Sequence, residues 1–276
     1  MLTKYNLTSI DLLDKKSKED LSIADTVFKK DLGKKLVISL GVDETKEKYY
    51  MDFSNIPCLL ISGTTGSGKS IFIDTAIVTL LLKNTPSELN FIFFDPKLVE
   101  LSEYTGIPHI IYDSYDNEYK IDTLFYLIDY RLGLLKEAKV DNIDEYNKQV
   151  DDDKLPQIFA IIDESVDVMK YEKSEKLVTT ILEKGIKVGI HLIIATNSYL
   201  KDDFKKSTIN KIPYVLTYEL TSDELSKFIN IEGANLLFEE GEGLIRCRDN
   251  SIHKLNTPYI SDNEIKKVVE AVMKNN

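Results

Sequence analysis

Eight residues constrain this chain more than any others: Gly63-Thr-Thr-Gly66-Ser-Gly68-Lys69-Ser70. They follow an apolar run, Pro57-Cys-Leu-Leu-Ile-Ser62, and open a second apolar stretch from Ile71 onward. A strand, a glycine-rich turn and a helix in that order make a phosphate cradle. Glycines allow positive φ and close backbone approach, so N–H groups turn inward toward an anion. The helix that follows adds the positive end of its dipole. The spacing G-x-x-x-x-G-K-[ST] gives the other two residues their tasks. Lys69 reaches the β- and γ-phosphates, and the Ser70 hydroxyl binds Mg²⁺. Gly63, Thr64, Thr65, Gly66, Ser67, Gly68, Lys69, Ser70 and Ile71 are therefore the candidate ATP-binding segment.

Such a turn belongs in an open α/β sheet, and the rest of the chain agrees. Cys58–Ser62, Phe91–Phe94, Ile158–Ile162, His191–Ala195 and Tyr214–Tyr218 are short, nearly continuous apolar runs. That is the pattern of strands covered on both faces. Helical periodicity appears between them over Ser70–Leu82, Asp122–Lys139 and Lys173–Lys187. Capping-box spacing at Thr221–Glu224 and Ser261–Glu264 marks two further helix starts, the second leading into Glu264–Lys274. The order predicts a doubly wound, mostly parallel sheet flanked by helices. Residues 1–28 are polar and lysine-rich, a helical or partly disordered appendage ahead of a domain at 29–276. Val140–Lys154 is acidic and reads as a solvated loop or insertion.

A phosphate cradle needs a second acid for its metal. Phe159-Ala-Ile-Ile-Asp163-Glu164 supplies one at the carboxyl end of an apolar strand, where open α/β sheets bind ligands. Asp163 is the expected Mg²⁺ residue, and Glu164 is placed to orient or deprotonate a water. The next strand ends in Thr196 and Asn197, polar groups able to sense the γ-phosphate or that water. Lys69, Glu164 and Asn197 are thus the candidate catalytic residues, with Ser70 and Asp163 as candidate metal ligands.

Composition narrows the class. The 276 residues are 43% hydrophobic and 29% charged, with a formal charge of −11. That balance excludes a uniformly basic nucleic-acid coat, although a local basic patch remains compatible with it. Two cysteines, Cys58 and Cys247, exclude a disulfide scaffold and read as small apolar side chains. His109, His191 and His253 lack metal-ligand spacing and read as structural or surface residues. No run approaches the length of a membrane span, which predicts a cytoplasmic protein.

Beyond the generic cradle, Pro57–Ser70 resembles the nucleotide-binding segment of the FtsK/SpoIIIE DNA translocases. Phe91-Ile-Phe-Phe-Asp95-Pro-Lys97-Leu-Val-Glu100-Leu-Ser102 with Gly106-Ile-Pro-His109 resembles that family's second strand and loop. Leu32-Gly-Lys34, Gly41-Val-Asp43, Asp163-Glu164, Gly189–Thr196 and Asn210-Lys-Ile-Pro213 continue it in order. The D-P-K-x-x-E-L-S stretch separates this branch from related secretion ATPases. The resemblance implies a RecA-like motor that hydrolyses Mg²⁺-ATP between the subunits of a hexameric ring and drives double-stranded DNA through the pore. It places Asp95 and Lys97 near the nucleotide or subunit boundary. It places the lysines of Lys201–Lys211 on a pore-facing loop. Relatives on mobile elements also imply a relaxosome or membrane-channel partner, with recruitment to the membrane by that partner. The chain departs from the family in three places. Ala195-Thr-Asn-Ser-Tyr199 has Asn197 where glutamine is usual. The arginine after Ile-Pro is absent, and Thr221–Asn230 carries only Lys227. With Arg131, Arg246 and Arg248 the only arginines, a finger acting in trans has few candidates. A switch with weak hydrolysis and a secretion-type motor moving polypeptide stay open as alternatives. Beginning at Met1, with no membrane region ahead and no room behind for a winged-helix module, the chain reads as a small gene product or an excised motor.

Overall fold

The computed structural model describes residues 36–95, 101–197, 201 and 204–274. The 1–28 appendage, Leu32–Lys34, Pro96–Glu100 and Ser198–Leu200 lie outside the described residues.

Among the described residues, nine strands form one sheet: β1 (Val37–Val42), β2 (Lys48–Asp52), β3 (Cys58–Ser62), β4 (Leu89–Phe94), β5 (Gln157–Ile162), β6 (Ile190–Thr196), β7 (Tyr214–Thr217), β8 (Glu242–Arg246) and β9 (Ile252–Asn256). The helices are α1 (Lys69–Leu81), α2 (Asn117–Ala138), α3 (Ile143–Gln149), α4 (Ser165–Met169), α5 (Ser174–Val188), α6 (Lys206–Ile209), α7 (Asp223–Phe228) and α8 (Asp262–Lys274). The strand order is β2-β1-β9-β8-β7-β3-β6-β5-β4. The five strands expected from apolar runs are the parallel set β7-β3-β6-β5-β4. Four strands that sequence reading did not mark, β8, β9, β1 and β2, extend this sheet antiparallel. β2 is half-buried with one covered residue, and β9 alternates exposed and covered residues with little apolar signal, whereas β1 is buried throughout.

Alternation along β3 builds two cores. Leu59 and Ile61 join Phe72, Ile77 and Leu80 of α1 and Val268 and Val272 of α8 on one face. Cys58 and Leu60 join Ile121, Leu124 and Ile128 of α2 and Leu177 and Ile181 of α5 on the other. Each strand side chain thus finds a helix, the physical basis of a sheet wound on both faces. α1 is covered nearly all round and accordingly carries almost no polar face.

Several boundaries differ from the sequence expectation for local reasons. α2 starts at Asn117, five residues early, because the Asp116 carboxylate accepts from the N–H groups of Glu118 and Tyr119. Val140–Lys154 is more than a solvated loop. It holds α3, capped by Asn142 on the Glu145 N–H and pinned by buried Ile143. The Thr221–Glu224 box is shifted by one residue, with Ser222 accepting from Leu225 N–H. At Ser261 the box forms as expected. The Glu264 carboxylate accepts from the Ser261 N–H at 2.8 Å, and the Ser261 hydroxyl accepts from the Glu264 N–H at 3.4 Å. Cys58 is fully buried and burial pushes its thiol pKa up, whereas Cys247 is only half-buried.

Candidate functional site

β3 ends at Ser62, and the chain turns sharply into the cradle. Gly63 and Gly66 take φ of +155° and +80°, and Gly68, the cap of α1, takes +113°. At Gly63 the requirement is also steric, since a Cβ would stand 2.7 Å from Ser67 Oγ and 2.8 Å from Tyr218 Cβ. At Gly66 nothing lies within 4 Å, so the turn presents bare backbone to whatever sits there. Lys69 is buried, and its Nζ donates to Gly63 O at 2.9 Å and Thr64 O at 2.7 Å. The first turn of α1 leaves its N–H groups without intrahelical acceptors. Four things therefore converge on one point: a buried ammonium, the N–H groups of the helix start, a dipole end and glycine backbone. That convergence suits a polyphosphate.

The cradle is fastened from the β7 side. Thr64 N–H donates to Glu219 O at 2.9 Å, and Gly241 N–H donates to Ser67 O at 3.2 Å. The Ser62 hydroxyl donates to Thr217 Oγ1 at 2.9 Å, joining the ends of β3 and β7.

Parallel register brings the other candidates to the same edge. Ser62 pairs with Thr196 and Ile162 with Ile194, so Asp163 and Asn197 both follow directly at the carboxyl ends of β5 and β6. Asp163 and Glu164 are half-buried, as is Ser70 at the start of α1. The side chains of Asn197 and Glu164 meet, with Nδ2 3.5 Å from Oε1. Thr64, Thr65 and Ile71 line or flank the turn, with Thr65 exposed. The donor set of one hydroxyl and one carboxylate fits a hard cation that keeps water and phosphate oxygens in its shell. Asp95 lies at the same edge, directly after β4, buried, accepting from the Leu101 N–H at 2.9 Å. Lys97 lies outside the described residues. Lys120, which sequence reading did not single out, is buried beside Asp95. Its ammonium donates to Phe93 O and lies 5.7 Å from the centre of the Phe94 ring, and desolvation lowers its pKa. Lys120 lies ahead of the helical stretch expected at Asp122–Lys139, and nothing in the sequence around it marks it as part of the site.

The basic candidates fare differently. Arg131 is no finger. It is buried on α2, and its guanidinium donates to Val188 O at 2.6 Å, Gly189 O at 3.4 Å and Pro156 O at 2.8 Å. Burial lowers its pKa to about 10, which still leaves it charged at neutral pH. Arg246 is buried, donating from NH2 to Ile212 O at 3.2 Å, while exposed Arg248 donates to Asn55 O at 2.7 Å. Both lie at the amino ends of the parallel strands, because β8 runs antiparallel and Arg246 pairs with Val215 at the start of β7. They therefore sit across the sheet from their own cradle. They share a concavity of about 360 Å³ with Lys211, Asn210 and Asn250. In the Lys201–Lys211 segment, Lys201 pairs with Glu224 and Lys205 with Glu175. Lys206 Nζ donates to Lys227 O at 2.9 Å and Asn230 Oδ1 at 2.7 Å. Exposed ion pairs of this kind are weak and exchange readily for other anions.

The histidines are structural. His109 is buried with Nε2 3.0 Å from Asn84 O. His191 lies between Phe159 and Phe53, and His253 packs on Tyr49. Among the described residues, no helix is long and apolar enough to cross a membrane.

With this geometry in view, comparison with known proteins is specific. The chain is 32% identical over 248 residues to the DNA translocase FtsK of Helicobacter pylori (strain J99), covering 86% of this chain and 29% of that protein. It is 31% identical over 256 residues to the DNA translocase FtsK of Staphylococcus aureus (strain Mu50), covering 87% and 32%. The chain thus spans under a third of the length of these relatives. In fold it is similar to the pCW3 conjugation coupling protein TcpA in its monomer form with ATPγS. That match has a TM-score of 0.77 at 20% identity, over 94% of this chain and 75% of that one. It is similar as well to the cytoplasmic domain of the type VII secretion ATPase EccC of Thermomonospora curvata. There the TM-score is 0.73 at 18% identity, over 89% of this chain and 32% of that one. The fold is that of P-loop ATPases, and since the FtsK/SpoIIIE family profile matches residues 26–201, the chain belongs to the FtsK/SpoIIIE family.

Proposed function

We propose that this chain is an ATP-dependent motor that works on double-stranded DNA as a ring of identical subunits, hexameric in this family's manner. Residues 29–276 are the motor and 1–28 its appendage. The observation that carries the reading is the meeting of the phosphate cradle, Asp163 and the Glu164–Asn197 pair at one sheet edge. The cradle N–H groups and Lys69 hold the phosphates. Ser70 and Asp163 hold Mg²⁺, which when bound neutralises charge on the β- and γ-phosphates. Glu164 accepts the proton of the attacking water or aims it, and the Asn197 amide fixes the carboxylate's direction. DNA as the client is supported by the FtsK relatives, whose names call them DNA translocases. Lys211 and Arg248 are the exposed cations best placed to touch phosphates, in a way that reads no sequence. A net charge of −11 makes a single subunit's grip weak, so several subunits share it. A ring closes by a head-to-tail, heterologous interface. A cytoplasmic motor of this kind hands DNA to a relaxosome or membrane-channel partner that recruits it.

A second reading has its own observation. Arg131 and Arg246 are committed to backbone carbonyls, which leaves Arg248 as the exposed arginine. A trans-acting arginine contributes about 10³–10⁵ in rate in other nucleotide hydrolases, and lysine lacks its fork. Without one, the chain is a nucleotide-dependent assembly switch with little turnover. ATPase rate with and without duplex DNA, for wild type and Glu164→Gln, separates the two. DNA-stimulated turnover that the substitution abolishes supports the motor. Tight ATP binding without turnover in both proteins refutes the motor and leaves the switch. A monomer in light scattering with ATP analogue and duplex DNA would refute the ring.

A further inference from the structure

Phe238 is 81% exposed, more than any other large apolar side chain among the described residues, and Leu236 two positions earlier is 64% exposed. Single exposed apolar residues are ordinary on a protein surface. Position sets these two apart. They stand on the connection from β7 to β8, whose far end is built into the phosphate cradle. A Cβ on Gly68 would lie 3.3 Å from Gly241 N and 3.4 Å from its Cα, so the two backbones are in contact. Gly241 N–H donates to Ser67 O at 3.2 Å. Gly241 O accepts from Thr257 N–H at 2.9 Å and from the Thr257 hydroxyl at 3.0 Å. Thr257 is held in turn by the hydroxyl of buried Tyr218 at 3.0 Å. Phe238 is three residues from Gly241, at most about 11 Å of extended chain.

The sheet order fixes the direction of a bound nucleotide. Asp163, Glu164 and Asn197 lie on the β6–β5 side of the cradle, and β7 and β8 lie on the other. A triphosphate whose terminal phosphate and metal face the acidic side has its sugar and base leaving on the β7–β8 side. Phe238 and Leu236 are the exposed large apolar groups on that side's connection. An exposed aromatic ring three residues along the chain from a backbone that touches the polyphosphate cradle matches the flat apolar face of a purine.

We infer that Phe238, with Leu236 beside it, is the platform on which the base of the nucleotide stacks. The inference rests on the nucleotide-binding reading above and adds the residues that recognise the base. Stacking of one base on one aromatic side chain contributes about a tenfold change in affinity.

The test separates base from phosphates by using two probes, MgATP and magnesium tripolyphosphate, with calorimetry on the full chain. Phe238→Ala is expected to weaken ATP about tenfold and leave tripolyphosphate unchanged. The chain contains no tryptophan, so Phe238→Trp introduces a single fluorophore at the site. Its emission is expected to change on adding ATP and to stay constant on adding tripolyphosphate. ATP affinity of Phe238→Ala within twofold of wild type would overturn the inference. Parallel loss of both ligands would also overturn it, because the side chain would then be supporting the cradle. So would an emission that follows protein concentration instead of nucleotide, the mark of a subunit contact. Wild type that binds neither probe would remove the nucleotide site itself, a failure distinct from the others.

Discussion

Replacing His191 with glutamine should take away a pH dependence of stability whose size follows from the ring's surroundings. The imidazole is fully buried at the start of β6, stacked on Phe159 at 4.9 Å and edge-on to Phe53 at 5.9 Å. Its Nδ1 lies 2.8 Å from Ile56 O and its Nε2 3.1 Å from Gln157 Oε1. Burial dominates and lowers its pKa from 6.5 to about 4; the Ile56 carbonyl and Asp52 oppose the shift, and Arg131 adds to it. The ring is therefore neutral in the fold, with Nδ1–H donating to Ile56 O. The unfolded chain takes up a proton near pH 6.5 and the folded chain only near 4. Stability is complete above pH 6.5 and is lost as the pH falls toward 4. With those two values the loss from His191 is about 0.8 kcal/mol at pH 6 and about 2 kcal/mol at pH 5, relative to pH 8. Urea unfolding at pH 8, 7, 6 and 5, followed by far-ultraviolet dichroism, measures it. The quantity is the stability of wild type minus that of His191→Gln, which cancels the carboxylates common to both. A fall of about 2 kcal/mol in that difference between pH 8 and pH 5 is expected. A difference that stays flat would refute the burial argument.

Other substitutions probe the fold and the site. Arg131→Met should cost about 3 kcal/mol in urea unfolding, because three carbonyls lose a charged donor. Arg131→Lys should recover only part of that loss, and full recovery would show that the fork is unimportant. Gly185→Ala lies in a helix, where alanine ordinarily adds about 1 kcal/mol. Here the new Cβ would stand 2.4 Å from Ile190 O and 2.9 Å from Ile181 Cγ2. A loss of about 1–3 kcal/mol and a lower Tm are expected, and an unchanged or raised Tm would contradict the close approach of α5 and β6. Lys69→Ala should abolish ATP binding in calorimetry while leaving the dichroism spectrum intact, and retained affinity would remove the cradle reading.

The parallel half of the sheet and its ligand edge were legible in the sequence because their signals are local. Buried parallel strands are continuous apolar runs, and the cradle is a contiguous motif whose glycines announce their own backbone. Asp163 and Asn197 could be placed because each ends such a run. Helix ends were less legible, since caps such as Asp116 and Asn142 compete with equally polar neighbours. The antiparallel strands β2, β8 and β9 carry no comparable signal, being only partly covered, and β1, though buried throughout, joins the sheet only through its pairing with β2 and β9.

The arginines mark the division most sharply. The sequence by itself determined that only three exist, that a phosphate cradle stands between a strand and a helix, and that an acidic pair follows a buried strand. Only the tertiary structure decided that Arg131 is spent on main-chain carbonyls and that Arg246 and Arg248 lie at the opposite edge from the cradle. It alone decided that an exposed phenylalanine stands on the loop bonded to Ser67. Motif chemistry is written in neighbouring residues, whereas the use of a charge or an aromatic ring depends on which distant backbone comes to lie against it.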